Sequence, residues 1–311
     1  METNTTSHET VLLDEAVESL LGDLDGCYVD GTFGRGGHTR KILNMLSPSG
    51  RVIAFDKDPQ AIENAQGEFG QEDRLKVIHG AFSNLRSEMS RAGQLGHIAG
   101  ILLDLGVSSP QLNQAQRGFS FLHDGPLDMR MDPTSGISAA QWIATEKENE
   151  IARVLKVYGE ERFAKRMAAA IVSARQESPI TSTRQLAAII TAANPAWEKG
   201  KNPATRAFQA IRIYVNNELE ELERVLNDSL DVLKPGGRLV VISFHSLEDR
   251  MVKQFIRKQA KGDELPASIP IRDDQLNKRL KPIGKSLRAG VDEVARNPRS
   301  RSAMMRVAEK L

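Results

Sequence analysis

The chain has 311 residues, 40% of them hydrophobic and 27% charged, an ordinary balance for a globular protein. Its one cysteine, Cys27, excludes an internal disulfide, no Cys/His cluster has zinc spacing, and no apolar run reaches the length of a membrane span. The net charge of +1 conceals an asymmetry: residues 251–311 hold 15 Lys/Arg against 7 Asp/Glu, so a basic end follows an acidic body. Such an end suits a polyanionic partner or a solvated face equally well. The polar start, Met1 to Thr10, carries no signal pattern, so the reading is a cytoplasmic protein with no membrane association and no metal.

Taken in order, Leu13, Ala16, Val17, Leu20 and Leu21 make one face of a helix with Asp14 near its start, and His8 lies ahead of it, solvated or turned toward a pocket. Tyr28-Val29-Asp30 is a short apolar strand ending in an acid. It opens into Gly31-Thr32-Phe33-Gly34-Arg35-Gly36-Gly37-His38, and a helical pattern follows from Thr39 to Leu46. Glycines there let backbone N–H groups approach a ligand, and the next helix turns its positive end toward the same place. Arg51 to Asp56 is a second strand with an acid at its tip, where a carboxylate suits the hydroxyls of a ribose.

The glycine turn carries no Gly-Lys-Ser/Thr, which argues against a phosphate-cradling loop there, and glycines at 31, 34, 36 and 37 do not have dinucleotide spacing. Asp30 is poorly placed against a pyrophosphate. It is well placed for the cationic, amine-bearing end of S-adenosylmethionine. Asp58-Pro59 starts another helix, Leu75 to Gly80 is a third strand, and Phe82 after it lies against a flat base or in the core. Ile98 to Gly106 is a fourth, continuously apolar strand that ends at Asp104, fit for burial on both faces. Asp30, Asp56 and Asp104 therefore point into one crevice beyond the carboxyl ends of the strands.

Gly106 to Gln111 then reads as a turn and Arg117 to Gly136 as loop. Helical patterns follow over Ala139–Ile143, Glu148–Val157, Glu161–Ala174 and Ser182–Ala193, with no strand candidate among them. A loop with Pro195, Lys199, Lys201 and Pro203 leads to one long helix, Ala204 to Leu233, stopped by Lys234-Pro235-Gly236-Gly237. Arg238 to Phe244 returns to the sheet, and Ser246 caps the helix after it. Lys261 to Asp274 is rich in proline and charge, basic turns follow, and Ser302 to Ala308 is a last strand. The expected fold is α/β: a Rossmann-like sheet over residues 1–112 and 216–311, with an all-helical unit inserted over 113–215.

The glycine turn, Leu103-Asp104-Leu105-Gly106-Val107-Ser108-Ser109-Pro110-Gln111-Leu112, Gly125-Pro126-Leu127-Asp128-Met129-Arg130 and Ser243-Phe244-His245-Ser246-Leu247-Glu248-Asp249-Arg250 resemble the RsmH (MraW) family in order and over nearly the whole chain. These are bacterial 16S ribosomal RNA (cytosine-N4)-methyltransferases. The resemblance implies a Rossmann-like methyltransferase sheet with a helical substrate domain. It implies S-adenosylmethionine contacts at Gly36, Gly37, His38, Asp56, Phe82, Asp104 and Gln111, with Asp30 added by the strand-end argument. It implies as substrate a cytidine of the decoding region, within the small ribosomal subunit, and leaves a homodimer open.

A cytosine amine is a poor nucleophile because its lone pair is delocalised into the ring, so acceptors for its N–H groups are needed. Asp104, Ser109 and Pro110 are the catalytic candidates, because the Ser109-Pro110 turn stands where other amino-methyltransferases carry an acid-Pro-Pro-aromatic motif. Asp128, Arg130, His245 and Asp249 lie in motif loops and are candidates for the RNA side, with Phe119, Phe121 and Trp197 as stacking platforms. Asp128 with Arg130, and Asp249 with Arg250, read equally as structural ion pairs. The competing readings are a methyltransferase for a small molecule or protein, a nucleotide-dependent oxidoreductase, and a non-catalytic RNA-binding module.

Overall fold

The computed structural model describes residues 9–196, 202–263 and 276–311. His8, Trp197, Lys199, Lys201 and most of the 261–274 stretch lie outside the described residues. The chain divides into two compact units, Met1–Gly106 with Glu220–Leu311, and Val107–Leu219.

The first unit is built on seven strands: β1 Cys27–Asp30, β2 Arg51–Asp56, β3 Leu75–His79, β4 Ile98–Asp104, β5 Leu233–Ser243, β6 Leu280–Leu287 and β7 Met304–Lys310. They lie in one sheet in the order β3-β2-β1-β4-β5-β7-β6. β1 to β5 run parallel, and β7 and β6 close the edge antiparallel. Strand order reverses between β1 and β4, so a crevice opens there beyond their carboxyl ends. The first helices of this unit are α1 Leu13–Leu20, α2 Gly37–Met45, α3 Pro59–Phe69 and α4 Leu85–Arg91.

Side-chain alternation sorts the strands between two apolar layers. Val29, Ile53, Leu103 and Val241 face one cluster, and Tyr28, Val52, Leu102, Val240 and Ile242 the other. β4 is buried along all but its last residue, as a central parallel strand must be. Its neighbour β5 sheds the Lys234-Pro235-Gly236-Gly237 turn as a bulge: Ile98 pairs with Leu233, and Gly100 already pairs with Arg238.

The second unit is helical: α5 Ser109–Asn113, α6 Ala139–Thr145, α7 Glu148–Gly159, α8 Ala164–Glu177, α9 Thr183–Ala193 and α10 Ala204–Val215. Trp142, Ile151, Leu155, Met167, Ile171, Leu186, Ile190 and Ile211 form its own buried core. α6 and α9 open on capping boxes, Ser138 with Gln141 and Ser182 with Gln185. α11 Glu218–Val232 then leads back to the sheet, and α12 Ser246–Lys261 and α13 Val291–Arg296 complete the chain.

Four expectations are corrected. The long helix from Ala204 is two helices, because Asn217 adopts a left-handed φ of 52° between α10 and α11. Asn216 fixes that break: its amide donates to the carbonyls of Met129 and Arg212 and accepts from the N–H of Met131. The turn through Ser109 to Gln111 is the short helix α5. The cap of α12 is His245, not Ser246: the imidazole Nδ1 accepts the Glu248 N–H. The basic turns contain β6, an edge strand masked in the sequence by Pro282, Gly284 and exposed lysines, all of which an unpaired edge tolerates.

Candidate active site

The turn after β1 is tied to both neighbouring strands, β4 and β2. The Gly31 N–H donates to the Leu102 carbonyl on β4, the Phe33 N–H to the Phe55 carbonyl on β2, and the Gly34 N–H to Asp56 Oδ2 at 2.7 Å. Gly36, at φ 70°, ends the turn and opens α2; a Cβ there would stand 2.8 Å from the rings of Phe33 and Phe69. At Gly37 a Cβ would stand 1.9 Å from Thr10 Oγ1, so only glycine fits. Phe82, half-buried just beyond β3, lies close over this turn: a Cβ on Gly31 would sit 3.3 Å from its own Cβ.

The three strand-end acids differ in how they are held. Asp30 is buried and fully bonded, with Oδ2 taking the Thr39 hydroxyl at 2.6 Å and Oδ1 the Thr32 N–H at 3.1 Å. Burial still pushes its carboxyl above the ordinary range. Asp56 accepts the N–H groups of Gly34 and Asp58, and burial raises it to about 6. Each of its oxygens keeps a lone pair for a ribose hydroxyl.

Asp104 is the exception. Its N–H donates to Thr32 Oγ1 at 2.7 Å, but its buried Oδ1 has no hydrogen-bond partner. Burial, then the charges of Asp30 and Glu248, push its carboxyl well above the ordinary range. His38, on α2, gives no relief. Its Nε2 donates to the Val11 carbonyl at 3.2 Å, and its Nδ1 lies 3.8 Å from Asp104 Oδ2. Burial lowers the His38 imidazole to about 4, so it is neutral at pH 7.

A buried carboxylate oxygen without a donor, among other carboxylates and beside a neutral imidazole, is a site for a cation or an N–H donor from outside the chain. S-adenosylmethionine carries an ammonium, a sulfonium, a ribose and a flat base. The residues fit it: Asp104 and Asp30 toward positive charge, Asp56 toward the ribose, Gly36 and Gly37 for close backbone approach, Phe82 toward the base. Thr32 and Thr39, which hold two of the acids in place, escaped the sequence reading. Thr32 sits inside the quoted turn, yet a threonine there has no distinguishing signal without its partners.

The remaining candidates are placed as follows. Ser109 and Pro110 form the first turn of α5, where Ser108 is the cap and the buried Gln111 accepts the Ser108 N–H through its side chain at 2.9 Å. Asp128 and Arg130 form a two-pronged pair at 2.8 and 2.7 Å. Asp249 pairs in the same manner with Arg306 on β7, at 2.7 and 3.0 Å, rather than with Arg250. Phe119 is buried beneath Arg117, and Phe121 packs edge-on against Phe208.

A sheet whose five parallel strands reverse order between two acid-tipped strands, with a glycine turn and a third strand-end acid beside them, fits an S-adenosylmethionine-dependent methyltransferase. The model of the MraW methylase family matches residues 5–311, and the chain belongs to that family. It is 60% identical over 305 residues to a protein of Chromohalobacter salexigens named ribosomal RNA small subunit methyltransferase H, spanning 98% of this chain and 92% of that one. Among solved structures it is loosely similar to an rRNA methylase from Streptococcus thermophilus (14% identity, TM-score 0.41, 96% of this chain and 93% of that one). Another is an S-adenosylmethionine-dependent O-methyltransferase from Thermotoga maritima (10% identity, TM-score 0.42, 99% and 69%). Among the described residues no helix is long and apolar enough to cross a membrane.

Proposed function

We propose that the chain transfers the methyl group of S-adenosylmethionine to the exocyclic N4 amine of a cytidine in the decoding region of 16S ribosomal RNA, met within the small ribosomal subunit in the cytoplasm. The observation that supports the donor site most strongly is the buried, unpartnered Oδ1 of Asp104 at the tip of β4. The 60% identical relative and its name support the substrate.

The donor supplies an electrophilic methyl on a sulfonium. Everything else falls to the chain. Asp30 and Asp104 offset positive charge, and Asp56 and Phe82 orient the nucleoside. Asp104, the Ser109 hydroxyl and the carbonyls of the Ser109-Pro110 turn accept the N–H groups of the cytosine amine, which draws its lone pair out of the ring. His38, neutral and buried, walls the site without adding a competing cation. Gln111 completes the donor contacts, and Asp128, Arg130, His245 and Asp249 belong to the RNA side. The target base leaves its stack to reach such a site.

Nucleoside mass spectrometry of small-subunit RNA from cells lacking this protein tests the reading. Loss of one N4-methylated cytidine is expected, and retention of every one would refute the substrate.

A further inference from the structure

The basic end of the chain forms a definite surface that the donor site does not use. A groove of about 340 Å³ runs between α12, β6 and β7. β5 and β7 stand between β4 and β6, so this groove lies at the sheet edge beyond the strand-order reversal. Its floor is apolar, with Ile256, Ile283 and Val307, and its rim carries Lys253 and Arg257 from α12 and Lys285 from β6. Among the described residues no Asp or Glu lines it. Those three cations are exposed and make no ion pair among the described residues.

Lys253 and Arg257 stand four residues apart on α12, a like-charge row that weakens a helix. The helix dipole accounts for Lys258 and Lys261 in the last turn, but not for Lys253 two turns upstream. A polyanion lying along the row removes the repulsion.

We infer that this groove is a second RNA-binding surface, which grips backbone phosphates of the substrate strand away from the methyl-transfer site. The inference rests on the RNA reading above. A cationic rim over an apolar floor suits a single strand, whose phosphates meet Lys253, Arg257 and Lys285 while a sugar or base face covers Ile256 and Ile283.

The test is the salt dependence of binding to a labelled single-stranded fragment of small-subunit RNA, in the full-length protein and in the triple variant Lys253→Gln/Arg257→Gln/Lys285→Gln. Three lost phosphate contacts should make the slope of log affinity against log salt shallower by about 2, and weaken binding at low salt about tenfold. S-adenosylmethionine affinity should be unchanged, which also shows that the variant is folded. As a matched pair, Lys285→Gln on one sheet edge should reduce the slope by about 0.7, and Lys76→Gln on the opposite edge, β3, should not. An unchanged slope in the triple variant overturns the inference. So does loss of binding to anionic phospholipid vesicles with RNA binding intact, which would assign the groove to a membrane surface. A wild-type chain that neither binds nor methylates the RNA instead defeats the function proposed above.

Discussion

Asp104 stands with one carboxylate oxygen unpartnered, while burial, Asp30 and Glu248 all favour its protonated form. An acid whose folded pKa is raised contributes stability that is fully present below its unfolded value and is lost as pH rises through the folded value. The ligand-free protein should therefore lose stability from this group on going from acid to mildly alkaline pH. Asp104→Asn, which copies the neutral form, should melt higher than wild type near pH 8 and much the same at acid pH, as differential scanning calorimetry would record. A variant that melts lower near pH 8 would mean that the carboxylate is satisfied within the chain. The glycines give a second residue-scale contrast. Gly34 and Gly36 both have positive φ, but only Gly36 is enclosed by rings. Gly34→Ala should cost roughly 1–2 kcal/mol of stability from backbone strain alone, and Gly36→Ala roughly 2–4 kcal/mol with crowding added, as measured by urea denaturation. The acids were legible in the sequence because each closes an apolar run. The threonines and the Val11 carbonyl were not, since each finds its partner only when distant segments fold together.

Among elements, the strands rich in apolar residues were the readable ones: β1 to β5 and β7 all announce themselves by short apolar runs in the sequence. β6 did not, because a solvated edge strand needs no apolar pattern, only a neighbour, here β7. The α10–α11 junction escaped for the opposite reason. The apolar periodicity continues through it, and the break is written in two asparagines whose meaning depends on the loop carbonyls of unit Val107–Leu219. Asn217→Gly should leave stability within a few tenths of a kcal/mol of wild type or raise it, whereas Asn217→Ala should cost about 1 kcal/mol, because alanine resists the left-handed conformation. Equal melting of the two variants would remove the argument that φ at this position sets the break.

At the scale of the whole molecule, the charge asymmetry fits the proposed division of labour within the Met1–Gly106 and Glu220–Leu311 unit, in which carboxylates at the strand tips serve a cationic donor and a basic edge serves a polyanion. The sign of each region is visible from the residue order. Which cations share a groove is not, because Lys285 joins Lys253 and Arg257 only once β6 pairs at the sheet edge. In the proposed donor site Asp56 adds a pH signature to binding. Burial places its carboxyl at about 6, so the charged form that best accepts the ribose hydroxyls is lost as pH falls through that value. Isothermal titration calorimetry with S-adenosylmethionine, on wild type at about pH 8 and about pH 5.5 and on Asp104→Asn at about pH 8, tests the donor crevice most directly. The crevice described here requires weaker binding at the lower pH and at least about a tenfold loss in the variant, the size of a missing charge-assisted contact. Equal affinities in all three titrations would contradict it.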